Sequence, residues 1–277
     1  MDAMNDGSIS RQVLERAGCP IHYWLAGPLD RPLVVFTHGS LVDHHMFDPQ
    51  VPVIAQQYSV LTWDVRGHGL SQPIGEIFSI REAAEDLIAI LDRLGYGQAT
   101  FVGQSLGGII TQELAFLHPE RVTALVVIGG VCNTLKLSAF EKLALQASPM
   151  LLRLLPESIR KRQSAHSFAV KPEVQTYLYE ASRQIPEKNV ITVWTETIRC
   201  LRYEPDYRIT HPLLLTHGKY DILEKLKKAM PTWAARDPHC RYVVIPDAGH
   251  CANQDNPGFF NHELIDFLHE HAPYTFS

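Results

Sequence analysis

The sequence predicts an α/β fold with a doubly wound, mostly parallel sheet. Short apolar runs alternate along the chain with longer stretches of helical periodicity. Several of these runs are apolar throughout, which is typical of strands buried on both faces. Glycine-containing turns follow several of the runs, at the strand ends where ligands bind in such sheets. The 277 residues suffice for one large domain with an insertion.

The first half of the chain contains the strands that begin this pattern. Two short runs flank Gly18 and Pro20 and predict a hairpin at a sheet edge. A later helix has Ser79 as its N-cap, Glu82 three residues on and Gly95 at its end, which indicates a capping box. The predicted strands are 12–16, 21–26, 32–37, 59–63 and 99–102, and the predicted helices are 46–57, 79–94 and one that starts near residue 106.

The second half of the chain changes character between two strands. After a buried strand at 122–129, residues 133–210 show only helical periodicity, broken by prolines. We expect a helical lid there, over the carboxyl ends of the strands, where it would form a pocket and exclude water. The predicted core is therefore 1–132 and 211–277. The lid helices are predicted at 138–147, 149–155, 171–182 and 190–201, the core strands at 211–218 and 241–246, and the core helices at 222–236 and 257–271.

A G-x-S-x-G motif centred on Ser105 follows the fifth predicted strand and opens a helix. A serine on so tight a strand-to-helix turn holds its hydroxyl above the sheet. Side chains two residues to either side of the serine would clash with the turn, which explains why positions 103 and 107 are glycine. The helix that begins at Leu106 points its first N–H groups toward the serine, where negative charge develops in acyl transfer. Ser105 is therefore a candidate nucleophile.

A serine nucleophile needs a base, and the base needs a carboxylate. His250 follows the last strand in a glycine-containing turn, and Asp221 follows the strand before it. Asp247 is the rival acid, but it precedes His250 by three residues and would need a local fold-back. The sequence predicts Ser105, His250 and Asp221 as the catalytic set.

Other residues are candidates for the surroundings of the serine. The His38-Gly39 turn can aim a backbone N–H at an oxyanion, from Ser40 or else from Leu41. His44 and Trp194 are candidate substrate contacts, although a loop histidine is more often solvated and a lid tryptophan is more often core. In the loop after the fourth strand, Asp64, Arg66 and His68 have two interpretations, a metal or phosphate site and an internal salt bridge, and we favour the salt bridge. No metal site is predicted.

Five motifs in order resemble those of the α/β-hydrolase superfamily. They are H-G at 38–39, D-V-R-G-H-G at 64–69, G-Q-S-L-G-G at 103–108, G-K-Y-D at 218–221 and A-G-H at 248–250. The resemblance is to the lid-bearing group that includes carboxylesterases, lactonases, cofactor-free haloperoxidases and C–C bond hydrolases. It implies eight strands with only one antiparallel strand and an oxyanion hole from the N–H groups of Ser40 and Leu106. We expect no cofactor. Serine at the elbow departs from the dehalogenase and epoxide-hydrolase branches, which have aspartate there.

The composition narrows the possible partners and the location. A net charge of −5 argues against nucleic acid or an anionic membrane as a partner. No apolar run is long enough to span a bilayer, and residues 1–10 lack the apolar segment of a secretory signal. Five scattered cysteines without a C-x-x-C pair are typical of a reducing cytoplasm. The oligomeric state cannot be predicted.

The expected activity is hydrolysis of a small or medium carboxylic ester or lactone through an acyl-enzyme on Ser105. Because a fold and a triad do not fix the reaction, three alternatives stay open. The same triad serves C–C bond hydrolases. It also serves lyases or perhydrolases, which would turn over a cyanohydrin or a peroxide better than an ester. A small-molecule receptor with a vestigial triad would bind its ligand with little turnover.

Overall fold

The computed structural model describes residues 10–134, 136–152 and 156–272. Residues 1–9 lie outside the described part. They make up most of the segment 1–10, for which the sequence predicts no secretory signal. Eight strands form one sheet. They are β1 (Ser10–Arg16), β2 (Cys19–Ala26), β3 (Leu33–Thr37), β4 (Ser59–Trp63), β5 (Ala99–Gln104), β6 (Val122–Ile128), β7 (Leu213–Gly218) and β8 (Cys240–Ile245).

The strand order in the sheet is β1-β2-β4-β3-β5-β6-β7-β8. Strand β2 runs antiparallel to both of its neighbours, and every other neighbouring pair is parallel. The expected arrangement with a single antiparallel strand is therefore confirmed. At the carboxyl end of β3, Thr37 pairs with Trp63 on one side and with Gly103 on the other. This register brings the turns that follow β3, β4 and β5 to one edge of the sheet.

Helices cover both faces of the sheet, as a doubly wound fold requires. They are α1 (Val51–Ile54), α2 (Ile80–Leu94), α3 (Leu106–Leu117), α4 (Ala139–Leu152), α5 (Glu157–Phe168), α6 (Pro172–Arg183), α7 (Glu187–Cys200), α8 (Glu224–Arg236), α9 (Ala252–Asp255) and α10 (Pro257–His271). Successive residues of β3 point to opposite faces. Val35 belongs to the hydrophobic cluster with α2, α3 and α8, and Phe36 belongs to the cluster with α1 and α10.

The predicted helix at 46–57 is wrong. The chain instead forms a 3₁₀ turn at His44–Phe47 and then the single short helix α1. Pro49 lies between the two and Pro52 occupies the first turn of α1. A proline at position 52 supplies no N–H to continue a helix from the preceding turn. In contrast, the predicted start of α2 is confirmed, because the Ser79 hydroxyl accepts a 3.0 Å hydrogen bond from the N–H of Glu82.

Between β6 and β7 the described residues form four helices, α4 to α7, which we call the four-helix segment. The two helices predicted at 138–147 and 149–155 are one helix, α4, and residues 153–155 lie outside the described part. Helix α5 was not predicted. Within the described ranges, every helix is too short or too polar to cross a membrane.

Candidate active site

Ser105 occupies a strained turn between β5 and α3, with φ 48° and ψ −107°. A Cβ atom at Gly103 would overlap the backbone of Gly107, and one at Gly107 would overlap the carbonyl of Thr37. The predicted steric need for both glycines is therefore confirmed. The N–H of Ser105 donates a 2.9 Å hydrogen bond to the carbonyl of Ile128, which ties the turn to the end of β6.

His250 and Asp221 form a buried hydrogen-bonded pair after the last two strands. The Nδ1 atom of His250 lies 2.8 Å from Oδ2 of Asp221, and the other carboxylate oxygen accepts the N–H of Leu223 at 2.9 Å. Burial raises the pKa of Asp221, but the hydrogen bond and charge of His250 outweigh burial and leave this pKa below its ordinary value of 3.8. The ionised carboxylate fixes the tautomer with the proton on Nδ1, so Nε2 is free to accept a proton.

The His250 ring lies close to the Ser105 turn. A Cβ at Gly129 would be 3.1 Å from Nδ1 of His250, and Gly129 directly follows the residue that accepts the Ser105 N–H. The side-chain amide of Gln104 donates a 3.2 Å hydrogen bond to the His250 carbonyl. Within the described residues the Ser105 hydroxyl has no hydrogen-bond partner. Such contacts are often open in unliganded enzymes and tighten when substrate binds.

Two backbone N–H groups border the serine. Leu106 is the first residue of α3, where an N–H has no acceptor inside the helix. In the described part of the chain, neither this N–H nor that of Ser40 donates to another residue. Ser40, Ser105 and Leu106 line the same cavity. Free donors beside a hydroxyl nucleophile can hold a developing oxyanion.

The cavity has a volume of about 630 Å³ and is mainly apolar. Its walls come from the Ser105 turn, the end of β6, α4, α7 and the start of α8. Trp194 of α7 lines it, and its indole N–H donates a 2.7 Å hydrogen bond to Ser148 of α4. His250 is not among the lining residues, but Gly129, against which its ring lies, is one of them.

The structure does not bring His44 to this cavity. Its ring stacks on Trp24 with centroids 3.5 Å apart, and its Nδ1 atom is 2.8 Å from a carboxylate oxygen of Asp64. The Asp64 carboxylate also accepts the N–H of Leu70 at 2.7 Å. His44 therefore braces the loop after β3 against β2 and β4, and we remove it from the candidate substrate contacts.

In the motif after β4, Arg66 forms a buried salt bridge, although its partner is neither Asp64 nor His68. Arg66 is fully buried and its guanidinium donates to both carboxylate oxygens of Asp86, at 2.6 and 2.7 Å. The partner lies on α2, outside the motif. His68 is buried against His38, with ring centroids 5.1 Å apart. In the part of the chain that the structure describes, no group of three His, Cys, Asp or Glu side chains is placed to hold a metal ion.

Sequence reasoning missed two residues near His250. The Phe168 ring lies 5.0 Å from the imidazole. The carboxylate of Asp255 accepts the N–H of Gly249, which directly precedes His250, at 2.8 Å. An acidic residue five positions after the histidine was the available signal, but its partner could not be predicted.

The sheet and the site turns together define the class of α/β-hydrolases. Residues 32–257 match the sequence model of the alpha/beta hydrolase fold, and the chain belongs to that family. It is therefore a hydrolase enzyme. It is 35% identical to 3-oxoadipate enol-lactonase 1 of Acinetobacter baylyi (91% of this chain and 94% of the relative covered) and 27% identical to 3-oxoadipate enol-lactonase 2 of that organism (88% and 91%). Among solved structures it resembles a thermophilic esterase from Thermogutta terrifontis, with a TM-score of 0.81 and 20% identity over 95% of this chain and 99% of that one.

Proposed function

We propose that this hydrolase cleaves a small or medium carboxylic ester or lactone through an acyl-enzyme on Ser105. One observation carries the proposal: His250 is hydrogen-bonded to Asp221, and its ring lies against Gly129, which lines the same apolar cavity as the strained Ser105. Serine alone is a weak nucleophile, and this arrangement supplies the base and the carboxylate that it needs.

The proposed reaction has two steps. His250 takes the proton of Ser105 through Nε2 as the hydroxyl oxygen attacks the carbonyl carbon, and the N–H groups of Ser40 and Leu106 bind the oxyanion. The leaving alkoxide departs with the proton from His250. Water then attacks the acyl-enzyme by the same route and releases the acid. Each oxyanion donor contributes about 3 kcal/mol to such a transition state.

The cavity and the relatives support the substrate class. A mainly apolar cavity of about 630 Å³ has room for a medium acyl group or a lactone ring. The two relatives at 35% and 27% identity are named as enol-lactonases. We infer a small-molecule substrate with an ester or lactone carbonyl, bound with its apolar part toward α4 and α7.

We also propose that residues 133–210 act as a lid on a core formed by 1–132 and 211–277. Helices α4 and α7 contribute Leu145 and Trp194 to the wall of the cavity that Ser105 also lines. A wall from this segment would exclude water from the acyl-enzyme until the leaving group has departed.

The proposal is tested by measuring intact mass after incubation with a fluorophosphonate. We expect one adduct on the wild type and none on Ser105→Ala, because only a serine activated by a base reacts with this reagent. The wild type should hydrolyse members of a panel of esters and lactones. Ser105→Ala should retain at most about 10³-fold acceleration over water.

Ser167→Ala is the matched control, because Ser167 is exposed on α5 and should be labelled and turned over like the wild type. Near-normal turnover in Ser105→Ala would exclude the mechanism. No adduct and no turnover in the wild type would favour the receptor alternative, and preferential turnover of a cyanohydrin or peroxide would favour the lyase or perhydrolase alternative.

A further inference from the structure

Asp255 is a buried carboxylate outside the proposed triad with an unusual set of partners. The residue is 1% exposed. Oδ2 accepts the N–H of Gly249 at 2.8 Å, and the carboxylate also accepts the N–H groups of Val170 and Lys171, each at 3.0 Å. No cationic side chain of the described ranges forms an ion pair with it. Three converging backbone donors replace the water that burial removed.

These partners belong to two separate parts of the chain. Val170 and Lys171 lie in the joint between α5 and α6, here called the α5–α6 joint (168–171), and Gly249 lies in the turn after β8. The joint approaches this turn so closely that a Cβ atom at Gly249 would lie 3.0 Å from the carbonyl oxygen of Phe168. The contact between the two segments therefore depends on the Asp255 carboxylate, which accepts hydrogen bonds from both, and on Gly249, which has no side chain to separate them.

His250 lies between two of the connections. On its N-terminal side Gly249 donates to Asp255, and on its C-terminal side the N–H of Cys251 donates to the carbonyl of Phe168 at 3.0 Å. The Phe168 ring faces the imidazole at 5.0 Å. The backbone on both sides of the histidine and one neighbour of its ring are thus fixed by the α5–α6 joint.

We propose, on the basis of the function proposed above, that Asp255 is a positioning residue that holds the general base His250 by docking the α5–α6 joint onto its turn. Only an acceptor-only group fits where three N–H groups converge. An asparagine amide would place two donors of its own against them. Displacing a base by about 1 Å can cost about 10²-fold in rate, because the proton transfer depends on geometry.

The test compares Asp255→Asn and Asp255→Glu with the wild type. We expect Asp255→Asn to lower kcat about 10- to 100-fold with little change in KM, because the cavity wall does not include Asp255. Asp255→Glu, which keeps the acceptors, should recover part of the loss. The downfield proton NMR signal of the Nδ1–H between His250 and Asp221 should broaden or disappear in Asp255→Asn.

Two controls separate positioning from folding. Activity is expressed per reactive site by titration with the fluorophosphonate, so an unfolded fraction does not count as slow enzyme. Asp237→Asn alters another buried carboxylate, which lies at the C-terminal end of α8, accepts from Trp233 and Arg236 and does not line the cavity. It should lower stability and leave kcat unchanged.

The proposal is overturned if Asp255→Asn has the wild-type kcat per site and keeps the downfield signal. It is also overturned if the loss of activity equals the loss of reactive sites. If Asp255→Asn does not fold, Gly249→Ala takes its place: a lower kcat per site with a broadened downfield signal supports the proposal, and a wild-type kcat with a wild-type signal contradicts it. An inactive, unlabelled wild type would defeat the function of Ser105, while the NMR signal would still report whether Asp255 positions His250.

Discussion

At the scale of single residues, Ser105 stands out because its backbone is held in a φ/ψ region that residues other than glycine rarely adopt. Its φ of 48° is positive, and the flanking glycines are packed too tightly against neighbouring backbone to accept a Cβ. Such conformations cost about 1–3 kcal/mol and persist only when the surroundings impose them. The turn therefore stores strain that serves to present the hydroxyl.

This strain predicts a stability difference between two inactive variants. Ser105→Gly should have a free energy of unfolding about 1 kcal/mol higher than Ser105→Ala, because glycine relieves the positive φ and alanine does not. The gain is reduced by the greater freedom of glycine in the unfolded chain. Urea unfolding monitored by circular dichroism gives both values.

The same pair of substitutions at Ser158 is the control. Ser158 is exposed in the first turn of α5, so glycine there should be less stable than alanine. An equal or lower stability of Ser105→Gly relative to Ser105→Ala would show that the turn carries no strain.

At the scale of elements, the missed helix α5 shows where periodicity fails as a signal. Its buried side chains include Arg160 and Lys161, which a hydrophobic pattern counts as exposed. Arg160 forms an ion pair with Glu187 of α7, and Lys161 donates to the carbonyl of Ile185 at 2.8 Å. Their apolar stems are covered while their charges find partners on α7 and the turn before it. Lys161 also pairs with Glu157 one turn earlier in α5, but Glu187 and Ile185 are distant in sequence, so a hydrophobic pattern alone could not reveal the helix.

Helices α4 and α7 meet at the cavity, and this contact predicts which residue limits the acyl group. Trp194 lines the cavity and its indole is held by Ser148. Trp194→Ala should raise the ratio of kcat/KM for a long-chain ester to that for a short-chain ester by at least about tenfold, because each accommodated methylene contributes about 1–3 kcal/mol. A series of p-nitrophenyl esters from acetate to laurate measures this ratio.

Trp24→Ala provides the comparison, since Trp24 is half-buried, stacks on His44 and does not line the cavity. The ratio of kcat/KM for the long-chain ester to that for the short-chain ester should be the same in Trp24→Ala as in the wild type. If Trp194→Ala also leaves the ratio within about twofold, Trp194 does not bound the acyl group.

At the scale of the whole molecule, the sequence predicted features that follow from strand polarity. Ser105 directly follows β5, Asp221 comes three residues after β7 and His250 five residues after β8, in turns that a parallel sheet brings to one edge. His44 comes seven residues after β3. The orientation of its side chain is set by contacts with Trp24 and Asp64, which belong to other segments. Such long-range pairing is not encoded locally, so neither the contacts of His44 nor those of Asp255 could be predicted from the sequence pattern.

The loops at this edge also make stability depend on pH. His38 and His68 are fully buried, and burial lowers the pKa of His38 to about 4 and that of His68 to about 3. His38 is held neutral by two hydrogen bonds: Nδ1–H donates to the carbonyl of Gly39, and Nε2 accepts the N–H of Val65. In the unfolded chain both histidines bind protons below their ordinary value of 6.5. Below that pH the unfolded state therefore holds more protons than the folded state, and stability falls as the pH falls.

We expect the free energy of unfolding to be nearly constant above pH 7.5 and to decrease between pH 6.5 and 4 by up to roughly 1 kcal/mol per pH unit for each buried histidine. Urea unfolding at half-unit steps of pH measures this slope. The carboxylates of Asp64 and Asp221, whose pKa values lie below 3.8, add a further loss of stability in more acidic solution.

The variant His68→Asn should show a smaller slope between pH 6.5 and 4, even though this variant is less stable than the wild type at pH 7.5. His262→Asn, which alters an exposed residue of α10, should leave the slope unchanged. A wild-type slope of zero in this window would mean that the two histidines bind protons as readily in the folded state as in the unfolded chain, which contradicts the lowering of their pKa values by burial.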